Sequence, residues 1–231
     1  MKICVYGAGA IGGYVAVQLA RAGQDVSVVA RGPHLKAIQA NGLALKIAGE
    51  THVAKIPASD DPAALGKQDY VVVALKAHQI PPAAAAIKSL CGPGTAILFA
   101  VNGVPWWYFH KLAGPYENRR IEAVDPGGAI WDTLGPERAL GCVVMPAAEI
   151  AAPGVVEVRA YSREESDRLL EPWLGSGLSL EDLPVPRMIA IKVAPVRALI
   201  GLKATLPQSL IQISSRMRLR TGARSPAAII A

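Results

Sequence analysis

Cysteine is scarce in this 231-residue chain: Cys4, Cys91 and Cys142 are odd in number and widely scattered. Such a set excludes a disulfide framework, and no spacing among them matches a metal-ligand pair, so a reducing, cytoplasmic setting and no metal are expected. Aromatic residues make up only 5% and charged residues 18%, while 52% are apolar, the profile of an alanine- and valine-rich α/β protein. Acids are missing altogether from Leu183 to Ala231, where eight basic residues stand: Arg187, Lys192, Arg197, Lys203, Arg216, Arg218, Arg220 and Arg224. Taking these eight from the 24 basic residues leaves 16 against 18 acids in residues 1–182, so the net charge of +6 belongs to the tail. A basic tail can serve nucleic acid or an anionic membrane. No aromatic residue follows Trp173, which leaves bases no stacking platform, and nucleic acid is not an expected partner. The uncharged run Ile3 to Ala20 is broken by four glycines and opens in a strand, so neither a signal peptide nor a membrane helix is expected. The length allows one large domain or two modest ones.

What is present is concentrated at the start. Ile3 to Tyr6 is a short apolar, β-rich run. Gly7-x-Gly9-x-x-Gly12 follows at once, then helical spacing from Tyr14 to Ala22 with a stop at Gly23, then a second apolar run, Val26 to Ala30. Strand, glycine turn, helix and strand in one short unit is the context that a dinucleotide fingerprint requires. Gly7 serves the tight turn, Gly9 the approach of the backbone to a pyrophosphate, and Gly12 the close packing of helix on strand. The alternative is a glycine turn with no ligand. A cofactor with a free ribose 2′-hydroxyl usually meets an acid after the second strand. Here Ala30-Arg31-Gly32 offers an arginine, whose planar donor fork suits a 2′-phosphate, and the reading is NADP(H) rather than NAD(H).

Further along, Tyr70 to Leu75 and Ala96 to Val101 read as fully buried strands, and Pro81 to Leu90 as the helix between them. His34 to Asn41 reads as a short helix, Leu43 to Ile47 and His52 to Ile56 as paired strands, and Asp61-Pro62 as the start of a helical turn. The alternation predicts a Rossmann-type doubly wound parallel sheet, whose ligands bind beyond the carboxyl ends of the strands. Lys76 and Asn102 follow two of those ends. Lys76 can meet a substrate carboxylate or a cofactor phosphate, and Asn102 a carboxamide or a substrate carbonyl; otherwise they are a solvated lysine and an Asn-Gly turn. The aromatic run Pro105 to Leu112 is expected to form a helix packed on the sheet or on a partner subunit, with His110 a surface or packing residue. Gly127-Gly128 and Gly141 to Ala148 read as continuing a β-rich second half, and a strand at Val155 to Val158 and a helix from Ser162 to Leu174, opened by Ser162-x-x-Glu165, complete the reading.

These residues together resemble ketopantoate reductase, also called 2-dehydropantoate 2-reductase. The resemblance rests on GAGAIGG at Gly7 to Gly13, Arg31, LKAHQ at Leu75 to Gln79, VNGV at Val101 to Val104, and GCVVMPAAEIAAPGVV at Gly141 to Val156. It implies NADPH-dependent reduction of a 2-keto acid to a 2-hydroxy acid, in pantothenate and coenzyme A synthesis. By that resemblance the pyrophosphate lies on Gly7, Ala8, Gly9, Ala10, Ile11 and Gly12, and the 2′-phosphate on Arg31. Lys76 and Asn102 lie beside the nicotinamide and the substrate, and the backbone near Ala147 touches the cofactor.

The family's helical second domain opens with an arginine, then Trp-x-Lys-Leu, then two asparagines at four-residue intervals on one helix face. There the lysine gives a proton to the ketone oxygen as hydride arrives. Arg197 and Lys203 keep the spacing, so Lys203 is the candidate acid, with Lys192 second. The tryptophan position, however, is Gly201, the asparagine positions are Pro207 and Ile211, and no asparagine follows Asn118. The expected division is an NADP-binding Rossmann domain over 1–160 and, over 161–231, a short remnant of a helical substrate and dimerisation domain. The stretch after Lys203 reads as the product of a shifted or truncated frame, which translating the gene's other frames would test. The expected function is reduction of 2-dehydropantoate to pantoate, impaired by the altered end; the rival is a non-catalytic NADP(H)-binding module. The expected partner is a small 2-keto acid, with homodimer formation left open.

Overall fold

The computed structural model describes residues 1–144 and 146–159, together with the backbone of 188–191. Seven strands form one sheet in which every pair is parallel: β1 (Lys2–Tyr6), β2 (Asp25–Val29), β5 (Ala58–Ser59), β6 (Gln68–Val73), β7 (Cys91–Ala100), β8 (Ala139–Val144) and β11 (Met188–Ile191). Their spatial order is β11-β8-β7-β6-β1-β2-β5. The apolar runs of β1, β6 and β7 carry hydrophobic side chains on both faces because both faces are covered. Ile3, Val5, Tyr70, Val72 and Leu98 join one core, and Cys4, Val71, Val73, Ile97 and Phe99 the other. The strand alternation thus sorts one continuous apolar run into two cores, and the doubly wound expectation holds.

Helix α1 (Ala10–Arg21) and helix α2 (Gly32–Asn41) serve the first core, and α3 (Ile80–Ser89) with the short α4 (Ala129–Leu134) the second. The first core has an outer layer that the sequence reading does not contain. β3 (Leu43–Ile47), β4 (Glu50–Ala54), β9 (Ala148–Ala152) and β10 (Val155–Val158) form a separate sheet in the order β4-β3-β10-β9. The β3–β4 hairpin is the one expected, but β10 pairs parallel to β3 across more than a hundred residues of chain. Helix α1 packs against strands of this small sheet as well as against β1 and β2. It is apolar almost all round for that reason, with Tyr14, Val15, Ala16, Val17 and Leu19 all buried.

Two expectations change. Residues 105–112 form successive turns, not a helix, closed by hydrogen bonds from Tyr108 N–H to Pro105, His110 N–H to Trp107 and Leu112 N–H to Phe109 carbonyls. Aromatic packing dictates this shape: Trp106 and Trp107 both turn inward onto Phe99, with ring centroids 5.6 and 5.0 Å away. Consecutive residues on a helix point about 100° apart, so two neighbours would not both face the sheet. The expected packing on the sheet is therefore met without the helix. The stretch expected to continue as β structure around Gly127-Gly128 instead leads into α4, whose N-terminus is held by the buried Asp125: its carboxylate accepts from Ile130 N–H (2.8 Å) and Trp131 N–H (2.9 Å). The helix expected at 162–174 lies outside the described residues. The seventh strand, 188–191, carries the sheet beyond residue 160.

Candidate functional site

Strand β1 is flanked by β2 on one side and β6 on the other, so the chain order reverses at β1 and a crevice opens beyond its carboxyl end. The glycine turn fills the floor of that crevice. Gly7 has φ +98°, a conformation that favours glycine, and the N–H groups of Gly7 and Ala8 both donate to Val29 O (3.1 and 2.9 Å), tying the turn to the end of β2. A Cβ on Gly12 would lie 1.9 Å from Gly7 O, so only glycine lets α1 sit this close to the turn. A Cβ on Gly9 would meet nothing within 4 Å. That empty space is the cradle a pyrophosphate needs.

The helix end supplies the charge complement. The first hydrogen bond of α1 runs from Gly13 N–H to Gly9 O (2.7 Å), leaving the N–H groups of Ala10, Ile11 and Gly12 without a helical acceptor. No side chain caps this end and no acid stands in the first turn. Free donors and the positive end of the helix dipole make an anion site. These residues fit a dinucleotide pyrophosphate.

Arg31 follows β2 and forms the N-cap of α2; it is exposed and in no ion pair among the described residues. Tyr6, at the end of β1, has its phenol pushed up by burial and by nearby Cys4, with the Arg31 guanidinium pulling the other way, which places Arg31 within electrostatic reach of the crevice's β1 edge. Lys76 lies just beyond β6, exposed, its backbone N–H donating to Gln79 Oε1 (3.1 Å) and its ammonium in no ion pair among the described residues. The structure therefore brings the glycine turn, Arg31, Lys76 and Asn102 to one edge of the sheet, the carboxyl ends of β1, β2, β6 and β7.

Asn102 has a further task there. Its Nδ2 donates to Val144 O (2.9 Å) and its Oδ1 accepts from Val144 N–H (2.9 Å), so the side chain continues the β7–β8 ladder after the backbone departs. One N–H and one lone pair of the amide remain for a ligand. Ala147 stands just before β9, and its carbonyl accepts from Arg159 N–H (3.0 Å). A cavity of about 270 Å³ opens beside Asn102, lined by Phe99, Val101, Trp106, Trp107 and Ile130. Lys203 and Lys192 lie outside the described residues.

One residue of the site has no sequence signal at all. His34, on the first turn of α2, has Nε2 2.8 Å from Ala8 O, while its Nδ1 accepts from Gly154 N–H at 2.9 Å. Its partners are 26 and 120 residues away, beyond any local motif.

The profile of the ketopantoate reductase PanE/ApbA family matches residues 3–165. The chain belongs to the ketopantoate reductase family. A 2-dehydropantoate 2-reductase of Mesorhizobium japonicum is 56% identical over 157 residues, which are 68% of this chain and 48% of that relative. One of Pyrococcus horikoshii is 28% identical over 159 residues, 69% of this chain and 44% of the relative. The chain thus spans about half the length of the curated relatives it matches. Among solved structures, one assigned as a ketopantoate reductase from Ralstonia solanacearum MolK2 superposes with a TM-score of 0.65 at 36% identity, covering 87% of this chain and 63% of that one. D-mandelate dehydrogenase, solved with NADH and anilino(oxo)acetate, shares the fold at a TM-score of 0.56 and 21% identity, over 83% of this chain and 57% of that one. No helix among the described residues is long and apolar enough to cross a membrane, and no cluster among them has the makings of a metal site.

Proposed function

We propose that the chain binds NADP(H) at the Gly7–Gly12 turn and carries the cofactor half of a 2-dehydropantoate 2-reductase, reducing a 2-keto acid to a 2-hydroxy acid in the cytoplasm. The observation that carries this reading is the uncapped, acid-free N-terminus of α1 behind the open space at Gly9. In this reading the turn Gly7, Ala8, Gly9, Ala10, Ile11 and Gly12 holds the pyrophosphate, the N–H groups of Gly7 and Ala8 tying the turn to Val29 O and those of Gly9, Ala10, Ile11 and Gly12 facing the phosphates. Arg31, free of any acid among the described residues, holds the 2′-phosphate through a charge-assisted fork. Lys76 meets the substrate carboxylate or a cofactor phosphate, and the spare N–H of Asn102 turns toward the nicotinamide amide or the keto oxygen. The backbone near Ala147 borders the cofactor.

When bound, the dihydronicotinamide supplies hydride to the keto carbon. The alkoxide that forms takes a proton, and Lys203 is the residue that the family resemblance gives that task, its spacing from Arg197 matching the family's arginine and lysine. Residues 1–160, with strand β11 joining their sheet, form the cofactor unit in this reading, and the rest of 161–231 is the remnant of a helical domain for substrate and for pairing with a second copy. A specific observation favours the non-catalytic reading beside it. The positions that would orient the acid are Pro207 and Ile211, which carry no hydrogen-bonding side chain. The test is to titrate the protein with NADPH by fluorescence and then follow NADPH oxidation with ketopantoate. Binding with turnover supports the reductase, binding without turnover supports the module, and failure to bind overturns both.

A further inference from the structure

We propose that His34 is a positioning residue for the cofactor, holding the Ala8–Gly9 peptide so that Gly9 N–H faces the pyrophosphate. The inference rests on the cofactor reading above and extends it to a residue outside the fingerprint. A backbone amide only donates, so the contact between Gly154 N and His34 Nδ1 (2.9 Å) makes Nδ1 the acceptor. The ring is then neutral with its proton on Nε2, and that N–H donates to Ala8 O (2.8 Å). In a trans peptide the C=O and the following N–H point in opposite directions. With the Ala8 carbonyl held toward α2, the Gly9 N–H is turned away from His34, and a Cβ on Gly9 would find no atom within 4 Å.

The ring is itself held from both sides. Gly154 stands in the β9–β10 turn with φ +77°, its carbonyl accepts from Ala44 N–H (2.8 Å), and a Cβ there would lie 3.0 Å from Ala37 Cβ of α2. The small sheet therefore fixes the imidazole, and the imidazole fixes the glycine turn.

The test compares wild type, His34→Phe and His34→Gln, measuring dissociation constants for NADPH and NADH by fluorescence alongside the melting temperature and the ¹⁵N shifts of the His34 ring. The pyrophosphate is common to both cofactors. His34→Phe should therefore weaken both by about tenfold and leave their ratio unchanged. His34→Gln, whose amide nitrogen can donate to Ala8 O, should stay within about threefold of wild type, and the ring should show the Nε2–H tautomer. A folded His34→Phe protein that binds as wild type does, or a ring protonated on Nδ1 alone, would overturn the role. If His34→Phe does not fold, His34→Gln decides: retained binding supports the role, and a tenfold loss in a folded protein overturns it. Wild type binding neither cofactor overturns the cofactor reading and this one with it, whereas normal wild-type binding with an indifferent His34→Phe removes this one alone.

Discussion

Two glycines three positions apart in the same turn do opposite things, and substitution should separate them. Gly12→Ala places a methyl 1.9 Å from the backbone Gly7 O and 3.0 Å from Ala74 Cβ, neither a flexible side-chain end that can move aside, and should cost about 3 kcal/mol in urea denaturation. Gly9→Ala meets nothing and its φ of −68° suits alanine, so the melting temperature should hold while NADPH affinity falls, the methyl standing where the phosphate belongs. On the proposed reading, in which only the 2′-phosphate meets the guanidinium, Arg31→Ala should weaken NADPH by tenfold or more and leave NADH almost unchanged. Cys4 gives a prediction in pH. Burial pushes its thiol from 9.0 up to about 12, against a smaller downward pull from Ser27. A group raised in the folded state binds its proton more tightly there, so its contribution is full below pH 9 and is lost as pH rises toward 12. The loss is on the order of a few kcal/mol at full ionisation. Burial also raises Tyr14 and Cys91, so stability should fall from pH 9 upward, and Cys4→Ala should flatten part of that fall in urea midpoints measured between pH 8 and 11.

Helix α1 owes its place to two sheets at once, and Gly13 marks where the second sheet presses on it. A Cβ there would lie 2.6 Å from Val156 Cγ2, on a residue with no exposed surface. Gly13→Ala should destabilise by about 1–3 kcal/mol through overpacking. Val156→Ala should also destabilise, by cavity formation, yet the double variant should be more stable than the sum of the two losses predicts, a coupling that a double-mutant cycle on urea unfolding reads directly. This element also shows what sequence can and cannot announce. β1, β6 and β7 are legible as unbroken apolar runs because a buried parallel strand needs nothing else. The glycine turn and Arg31 are legible because a phosphate site is built from neighbours in the chain. The small sheet is not, since β3 meets β10 only through folding, and neither are the His34 and Asn102 bonds, which join residues 26 to 120 positions apart. The aromatic turns at 105–112 escape the sequence for a related reason: which way Trp106 and Trp107 face depends on Phe99, which no local pattern reveals.

At the scale of the molecule, the glycine turn, Arg31, Lys76 and Asn102 stand at one edge of one sheet, and on the proposed reading that edge binds cofactor before anything reacts. A ligand that binds only the folded state stabilises it by mass action, by about 2.7 kcal/mol at a concentration of 100 times its dissociation constant. For a chain of this size that is a rise of about 5–10 °C in melting temperature. NADPH should therefore raise the melting temperature by several degrees, NADH at the same concentration by less, and Arg31→Ala should bring the two together. Turnover is a separate demand. Hydride transfer to a ketone needs a proton donor aligned with the keto oxygen and water kept out, and in the proposed reading the positions that the family resemblance gives to orienting asparagines hold Pro207 and Ile211. The expected outcome with ketopantoate is clear cofactor binding and NADPH consumption far below the roughly 1–1000 s⁻¹ of ordinary enzymes. Consumption within that range, abolished by Lys203→Ala while NADPH still raises the melting temperature, would instead assign the proton to Lys203.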